Sequence, residues 1–285
     1  MSFSFHVRSA EPPRFSAVID AVAEPDCVCI EPPPEDDTWQ PGSFFHFYTR
    51  GRSAREIEVS YVDERFRVRV MTCSTRADLL LALRFVDTLA RLTGSLIEPE
   101  RSQEEPFALE ERPHRYGDDW IVSEVASGPA LVATLVERDG QTLTMSGPRR
   151  DFHIGPRFLK ELQGRGSDMP LGARILEAMV RLQSVDEESY YPAAILQISR
   201  KGGGDSISLA VWSAGTAYLF PAVQYFVFTR DDESRFLVPQ STGPQIAGEA
   251  WTWMDERHAL VEATSGEEWA ALIERAAEHA VENPW

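Results

Sequence analysis

Residues 57–94 read IEVSYVDERFRVRVMTCSTRADLLLALRFVDTLARLTG, and this stretch decides the fold class. Apolar and polar residues alternate on both sides of a turn at 62–64, and the apolar members are Ile57, Val59, Tyr61, Phe66, Val68 and Val70. A period of two predicts a β-hairpin, because successive side chains of a strand point to opposite faces. The intervening residues of the second strand are all arginines, so the hairpin should have one apolar face and one basic face that contacts water.

The same stretch continues into the clearest helix of the chain. Thr75-Arg76-Ala77-Asp78 resembles a capping box with Asp in place of Glu. An apolar stripe at helical spacing runs from Leu79 to Leu92, and Gly94 stands where a left-handed C-terminal cap is expected. A hairpin followed by an amphipathic helix predicts an α+β fold, with antiparallel or mixed sheets packed with amphipathic helices.

Further elements are expected on either side of this stretch. Residues 98–119 are charged and contain prolines, so we predict an α+β lobe at 1–98, a charged linker or loop at 99–119, and a second, similar α+β lobe at 120–285. Asp139-Gly140 predicts a hairpin turn between strands at 131–136 and 142–145. Helices are expected at 156–163 and 170–183, several strands at 194–262, and a C-terminal helix after the capping box that begins at Ser265.

Charge limits the classes of partner. The 285 residues include 45 Asp and Glu against 28 Lys and Arg, which gives a net charge of −17. Such a surface repels phosphate backbones and anionic lipids, so we expect neither a nucleic-acid nor a membrane partner. The charge is compatible with a basic protein partner, although it can also serve solubility alone. The last hundred residues have 16 acidic and 6 basic residues, so an acidic recognition face is expected there.

The compartment is predicted from the N-terminus and the cysteines. Residues 1–6 lack a basic stretch followed by an apolar core, and no apolar run is long enough to cross a bilayer. Cys27, Cys29 and Cys73 are odd in number and do not indicate a disulfide framework. We therefore expect a cytoplasmic protein, and the scarcity of lysine beside abundant arginine, alanine and glycine indicates a GC-rich bacterial gene.

No motif for catalysis, metal binding or cofactor binding is visible. A Gly-x-Ser-x-Gly elbow is missing, and Cys73 before a helix is better explained as a buried cysteine than as a nucleophile. His258 and Glu262 are spaced to share a strand face, but no third metal ligand is indicated nearby. The glycines of 201–206 lead into a strand rather than a helix, which favours a hairpin loop over a phosphate-binding loop.

Two groups of acidic residues beside aromatic residues, and one acidic turn, are the candidate partner-binding residues. Interfaces favour aromatic anchors with charge at the rim. The candidates are Asp186, Glu187, Glu188, Tyr190, Tyr191, Asp231, Asp232, Glu233, Trp251, Trp253, Asp255 and Glu256. For Trp251 and Trp253 the alternative is packing in the core, since they alternate on an expected strand.

These features favour an acidic protein-binding module over an enzyme. Its most specific form is an immunity-type inhibitor that occludes a basic toxin or enzyme. One alternative is an enzyme whose catalytic residues come together only in three dimensions. Another is a structural or adaptor component of an assembly.

Overall fold

The predicted hairpin is present at the centre of a six-stranded antiparallel sheet. It is seen in a computed structural model that describes residues 2–100, 104–164, 168–199, 206–229 and 233–282. The strands of this sheet are β1 (Ser2–Arg8), β2 (Cys27–Cys29), β3 (Ser43–Thr49), β4 (Ile57–Val62), β5 (Arg65–Met71) and β6 (Ile97–Pro99). They are arranged in the order β2-β3-β4-β5-β1-β6, with every neighbouring pair antiparallel.

Helices cover the apolar face of this sheet. The helices of this part of the chain are α1 (Phe15–Val22), α2 (Arg76–Thr93), α3 (Arg112–Arg115), α4 (Asp118–Asp139), α5 (Pro156–Gly164) and α6 (Leu171–Gln183). A small two-stranded sheet contains β7 (Leu143–Met145) and β8 (Phe152–Ile154). Rings from sheet and helix meet in the core, as Phe47 and Phe85 do with centroids 4.6 Å apart. The capping box predicted at Thr75 is confirmed, and Gly94 ends α2 with φ of 66°.

The hairpin predicted around Asp139-Gly140 was wrong. Residues 131–136 belong to α4, and Gly140 is its left-handed C-terminal cap, whose N–H donates to the Val136 carbonyl at 2.9 Å. A glycine with positive φ serves both a hairpin turn and a helix end, so the dipeptide alone does not distinguish them. Val132, Ala133 and Val136 lie buried on one side of α4, which is a helical and not a strand pattern.

Helix α4 was not predicted from the sequence, which indicated a strand at 131–136 and no apolar run long enough to cross a bilayer. It has 22 residues and, by length and composition alone, is long and apolar enough to cross a membrane. In this structure α4 packs against α6 and α2. We therefore describe it as a packed helix of the fold.

The chain divides into two compact units, Met1–Ser184 and Val185–Trp285. The segment predicted as a charged linker or loop, residues 99–119, falls within the first unit, and its described part contributes to that unit's core. Phe107 and Tyr116 are 1% and 2% exposed, and the Tyr116 ring contacts Phe5 with centroids 4.8 Å apart. Charge and proline content predicted that the segment lies on the surface, but the buried rings of Phe107 and Tyr116 pack it against the sheet.

The second unit is α+β as well. Its strands are β9 (Tyr191–Pro192), β10 (Leu196–Ile198), β11 (Ile207–Val211), β12 (Tyr218–Phe220), β13 (Tyr225–Thr229), β14 (Arg235–Pro239), β15 (Trp251–Trp253) and β16 (Ala259–Val261). Its helices are α7 (Gly243–Ala247) and α8 (Gly266–Glu278). Among the described residues they form two mixed sheets, ordered β10-β11-β13-β14 and β15-β16-β12-β9. The prediction of an α+β fold with antiparallel or mixed sheets is confirmed.

Candidate functional site

The first group of predicted partner-binding residues lies on the surface of the second unit. Asp186, Glu187 and Glu188 are exposed in the loop that precedes β9. Asp186 also shapes this loop, because its carboxylate accepts hydrogen bonds from the Glu188 N–H at 3.0 Å and the Ser189 hydroxyl at 2.8 Å. This is an Asx-type turn, so Asp186 positions the two glutamates that follow it.

Two tyrosines continue from this loop. The Tyr190 hydroxyl donates to Glu262 Oε1 at 2.5 Å, which adds a further exposed carboxylate to the group. Tyr191 begins β9, the last strand of its sheet among the described strands, and its side chain is 57% exposed. The rings of Tyr191 and Tyr218 meet edge-to-face, with centroids 6.0 Å apart. The name acidic–aromatic patch refers below to Asp186, Glu187, Glu188, Tyr191 and Glu262.

The sequence missed part of this surface. Glu262 was considered only as a possible metal ligand beside His258, and its contact with Tyr190 depends on strands distant in sequence. Ile195 and Leu196, a few residues beyond Tyr191, are 48% and 45% exposed. An apolar residue on a strand is normally expected to face the core, so no sequence signal indicates that these two are exposed.

The second predicted group is largely buried: Trp251 and Asp255 are buried, and Trp253 and Glu256 are half-buried. Trp251 is 8% exposed and packs against Gly243, where an added Cβ would lie 2.4 Å from the Trp251 ring. Trp253 is half-buried and meets Trp251 edge-on at 4.9 Å. Trp251 therefore serves the core of the second unit and does not act as a surface anchor, as the alternative reading of the sequence held.

Asp255 is fully buried and acts as a turn residue. Its carboxylate accepts hydrogen bonds from the backbone N–H groups of Arg257 at 2.7 Å and His258 at 2.6 Å, and its Oδ2 lies 2.9 Å from His258 Nδ1. Burial acts to raise the pKa of Asp255, but the hydrogen bonds from His258 and Arg257 outweigh it and leave the pKa below its usual range. Glu256 is half-buried.

The acidic turn predicted at 231–233 is only partly described. Asp231 and Asp232 lie outside the described residues, as do residues 201–205 of the glycine loop. Glu233 is exposed and has a φ of 65°.

In the first unit a cavity of about 430 Å³ lies beside the turn that joins β5 to α2. Cys73 in this turn is 2% exposed and has a left-handed backbone with φ of 64°. Burial raises the pKa of its thiol to about 12, so the nucleophilic thiolate is scarce at neutral pH. Gly128 of α4 fits against the turn, since a Cβ there would lie 2.9 Å from the Cys73 nitrogen. Cys73 is thus a structural residue.

Buried polar side chains hydrogen-bond to this turn and to one another. The Arg55 guanidinium donates to the Thr72 carbonyl at 3.0 Å and to the Ser146 hydroxyl at 3.2 Å, and that hydroxyl donates to Glu56 at 3.1 Å. Arg55 and Glu56 are each 7% exposed. Charged residues that are buried and hydrogen-bonded in this way fix the geometry of a turn. Nothing in the local sequence distinguishes them from surface residues.

Comparison with known proteins bears on the first unit. No curated protein and no solved structure matches this chain. A family model described as Domain of unknown function (DUF4299) matches residues 29–186, which lie almost wholly within the first unit. Because the match covers more than half of the 285 residues, the chain belongs to the DUF4299 family.

Proposed function

We propose that the protein is a binding module for a basic protein, which it recognises through the acidic–aromatic patch of its second unit. In its most specific form it is an immunity-type inhibitor that covers the basic active site of a toxin or enzyme. The observation that carries the proposal is an exposed tyrosine, Tyr191, that closely follows three exposed carboxylates along the chain.

The composition of the patch suits an interface. Tyrosine combines a large apolar ring with a hydroxyl and loses little conformational entropy on binding, which is why it is frequent among binding hot spots. Ile195 and Leu196 add exposed apolar surface nearby in sequence. The carboxylates of Glu187 and Glu188 supply charge at the rim, where charge raises the rate and selectivity of association more than its final strength.

Charge beyond the patch supports the same kind of partner. The segment 186–285 has 16 acidic and 6 basic residues, so its field attracts a basic protein over distances longer than a direct contact. This attraction is screened by salt, with a Debye length of about 8 Å at physiological ionic strength. Binding through the patch should therefore weaken as salt rises.

A cytoplasmic, bacterial setting completes the proposal. Cys27, Cys29 and Cys73 are all free thiols, and thiols persist in the reducing cytoplasm. Burial is the main cause that raises the pKa of Cys27 to about 11 and that of Cys29 to about 12, so both resist oxidation.

The test is capture of proteins from the native host with the full-length chain as bait, at low and at high salt. We expect one basic protein to be retained at low salt and released at high salt. Tyr191→Ala combined with Glu187→Gln and Glu188→Gln should weaken its retention at least about tenfold, the effect of losing roughly 1.4 kcal/mol of binding free energy.

A matched control removes charge elsewhere in the same unit. Glu274→Gln with Glu278→Gln changes two exposed carboxylates of α8 and should leave retention unchanged. Equal retention by the patch variant and the control variant would show that the patch is not the binding surface.

A further inference from the structure

The outer face of the six-stranded sheet, opposite α1 and α2, carries a concentration of arginines. Arg65, Arg67 and Arg69 alternate along β5, and Arg8 lies on the neighbouring β1. Their side chains are 42%, 43%, 37% and 65% exposed, respectively. In a chain with a net charge of −17, four cations on two adjacent strands are not explained by composition.

Two of these arginines face each other directly. Arg8 and Arg65 are partners in the register of β1 and β5, a placement of like charges that destabilises a sheet. Both use the same acid, since Glu98 accepts a hydrogen bond from Arg8 at 2.8 Å and lies 3.5 Å from Arg65. One carboxylate thus balances two guanidinium groups.

The other two arginines repeat this arrangement. Glu58 of β4 lies 2.5 Å from Arg67 and 3.8 Å from Arg69. Among the described residues, four arginines therefore share two carboxylates in close ion pairs. A guanidinium has five N–H donors, so a carboxylate shared by two arginines leaves each of them able to bind a further anion.

A cleft of about 460 Å³ opens on this face. Strand register aligns Ser60 of β4, Arg67 of β5 and His6 of β1 in one row across it, and Arg65 is next along β5. The Nε of Arg67 is buried and has no hydrogen-bond partner among the described residues, whereas its Nη2 contacts Glu58. A buried donor without an acceptor is costly, and an acceptor in the cleft would remove that cost.

His6 belongs to the same row. Burial is the main cause that lowers its pKa, Arg67 and Arg65 lower it further, and Glu100 and Glu98 oppose them. The ring is therefore largely neutral at neutral pH and has one N–H to donate. Asp63 also lines the cleft, so its rim is not uniformly positive.

We propose that this cleft binds the phosphate group of a small phosphorylated ligand, with Arg65 and Arg67 as charged donors and His6 and Ser60 as neutral donors. The Ser60 hydroxyl donates to Glu58 Oε1 at 3.3 Å, a long hydrogen bond that the phosphate would replace. Donors from three strands suit the several oxygens of a phosphate, and guanidinium groups bind it with charge-assisted hydrogen bonds. The volume exceeds that of a lone phosphate, which leaves room for the rest of a small molecule. A nucleic acid is disfavoured, because the net charge repels an extended phosphate backbone.

The test uses the full-length chain and inorganic pyrophosphate, followed by NMR of the His6 ring and the arginine Nε–H groups. We expect saturable shifts confined to His6, Arg65 and Arg67. Arg67→Gln should weaken binding about tenfold or more, the scale of one charge-assisted contact. Ser60→Ala removes only a hydroxyl and should weaken binding less than Arg67→Gln does. It tests the same site if Arg67→Gln alters the sheet.

Controls separate this site from general attraction of anions. Arg138→Gln removes an exposed arginine at the end of α4 and should bind pyrophosphate as the wild type does. Citrate, a carboxylate anion of comparable charge, should bind more weakly than pyrophosphate. Absent shifts, equal affinity of Arg67→Gln and wild type, equal binding of citrate, or tighter binding of a short single-stranded oligonucleotide would each overturn the proposal.

Discussion

Asp78 is fully buried in the first turn of α2, where its Oδ2 accepts a hydrogen bond from the Thr75 N–H at 2.7 Å. Burial raises its pKa to about 6, while hydrogen bonds from Ser53, Thr75 and Arg55 act in the opposite direction. A folded protein in which a carboxyl has a raised pKa becomes less stable as that carboxyl ionises. The residue that caps the best helix of the chain is thus also a source of pH dependence.

The folded pKa of Asp78 lies above the usual unfolded value of about 3.9, so its contribution is fully present below pH ~4 and is lost as pH rises through about 6. We predict that Asp78→Asn removes this loss. Urea unfolding across pH 4–7 should show the wild type losing on the order of 3 kcal/mol relative to the variant. If the free energies of unfolding of the two proteins changed with pH by the same amount, the prediction would be contradicted.

The helix termini show how similar sequence signals lead to different structures. Both α2 and α8 are preceded by a capping-box sequence, and only α2 uses it, with Thr75 accepting a hydrogen bond from the Asp78 N–H. At α8, the Ser265 side chain makes no capping hydrogen bond. Gly266 has a φ of 57°, which turns the backbone away from the geometry that the box requires.

This difference predicts different costs for removing the two hydroxyls. Thr75→Ala should lower the free energy of unfolding by about 1 kcal/mol, since a used N-cap is lost. Ser265→Ala should change it by less than about 0.5 kcal/mol, as expected for a surface site without a specific role. Chemical denaturation of both variants and of the wild type measures these changes in the free energy of unfolding. A cost at Ser265 equal to that at Thr75 would show that the C-terminal box is formed in solution.

For the whole molecule, the boundary between the two units, after Ser184, predicts which fragments fold. A fragment of residues 1–184 should fold by itself, because its sheet, helices and core are complete within it. A fragment of residues 1–98 should be unstable, since it lacks Phe107, Tyr116 and Ile121, which fill the core beside Phe5. Circular dichroism and amide-proton dispersion in NMR distinguish the outcomes. A well-folded 1–98 fragment would support the lobe boundary predicted at residue 98.

The sequence by itself determined the fold class, the central hairpin, α2 with its cap, and the acidic loop at 186–188. These features depend on the local spacing of apolar residues and on the residue types that are adjacent in the chain, and both can be read from a short stretch of sequence. Only the tertiary structure decided that residues 131–136 are helical, that Trp251 and Asp255 are buried, and that Arg8 joins the three arginines of β5 on one sheet face. Each of these outcomes depends on which distant segment packs against the residue, and burial and cross-strand register come from that packing rather than from the adjacent sequence.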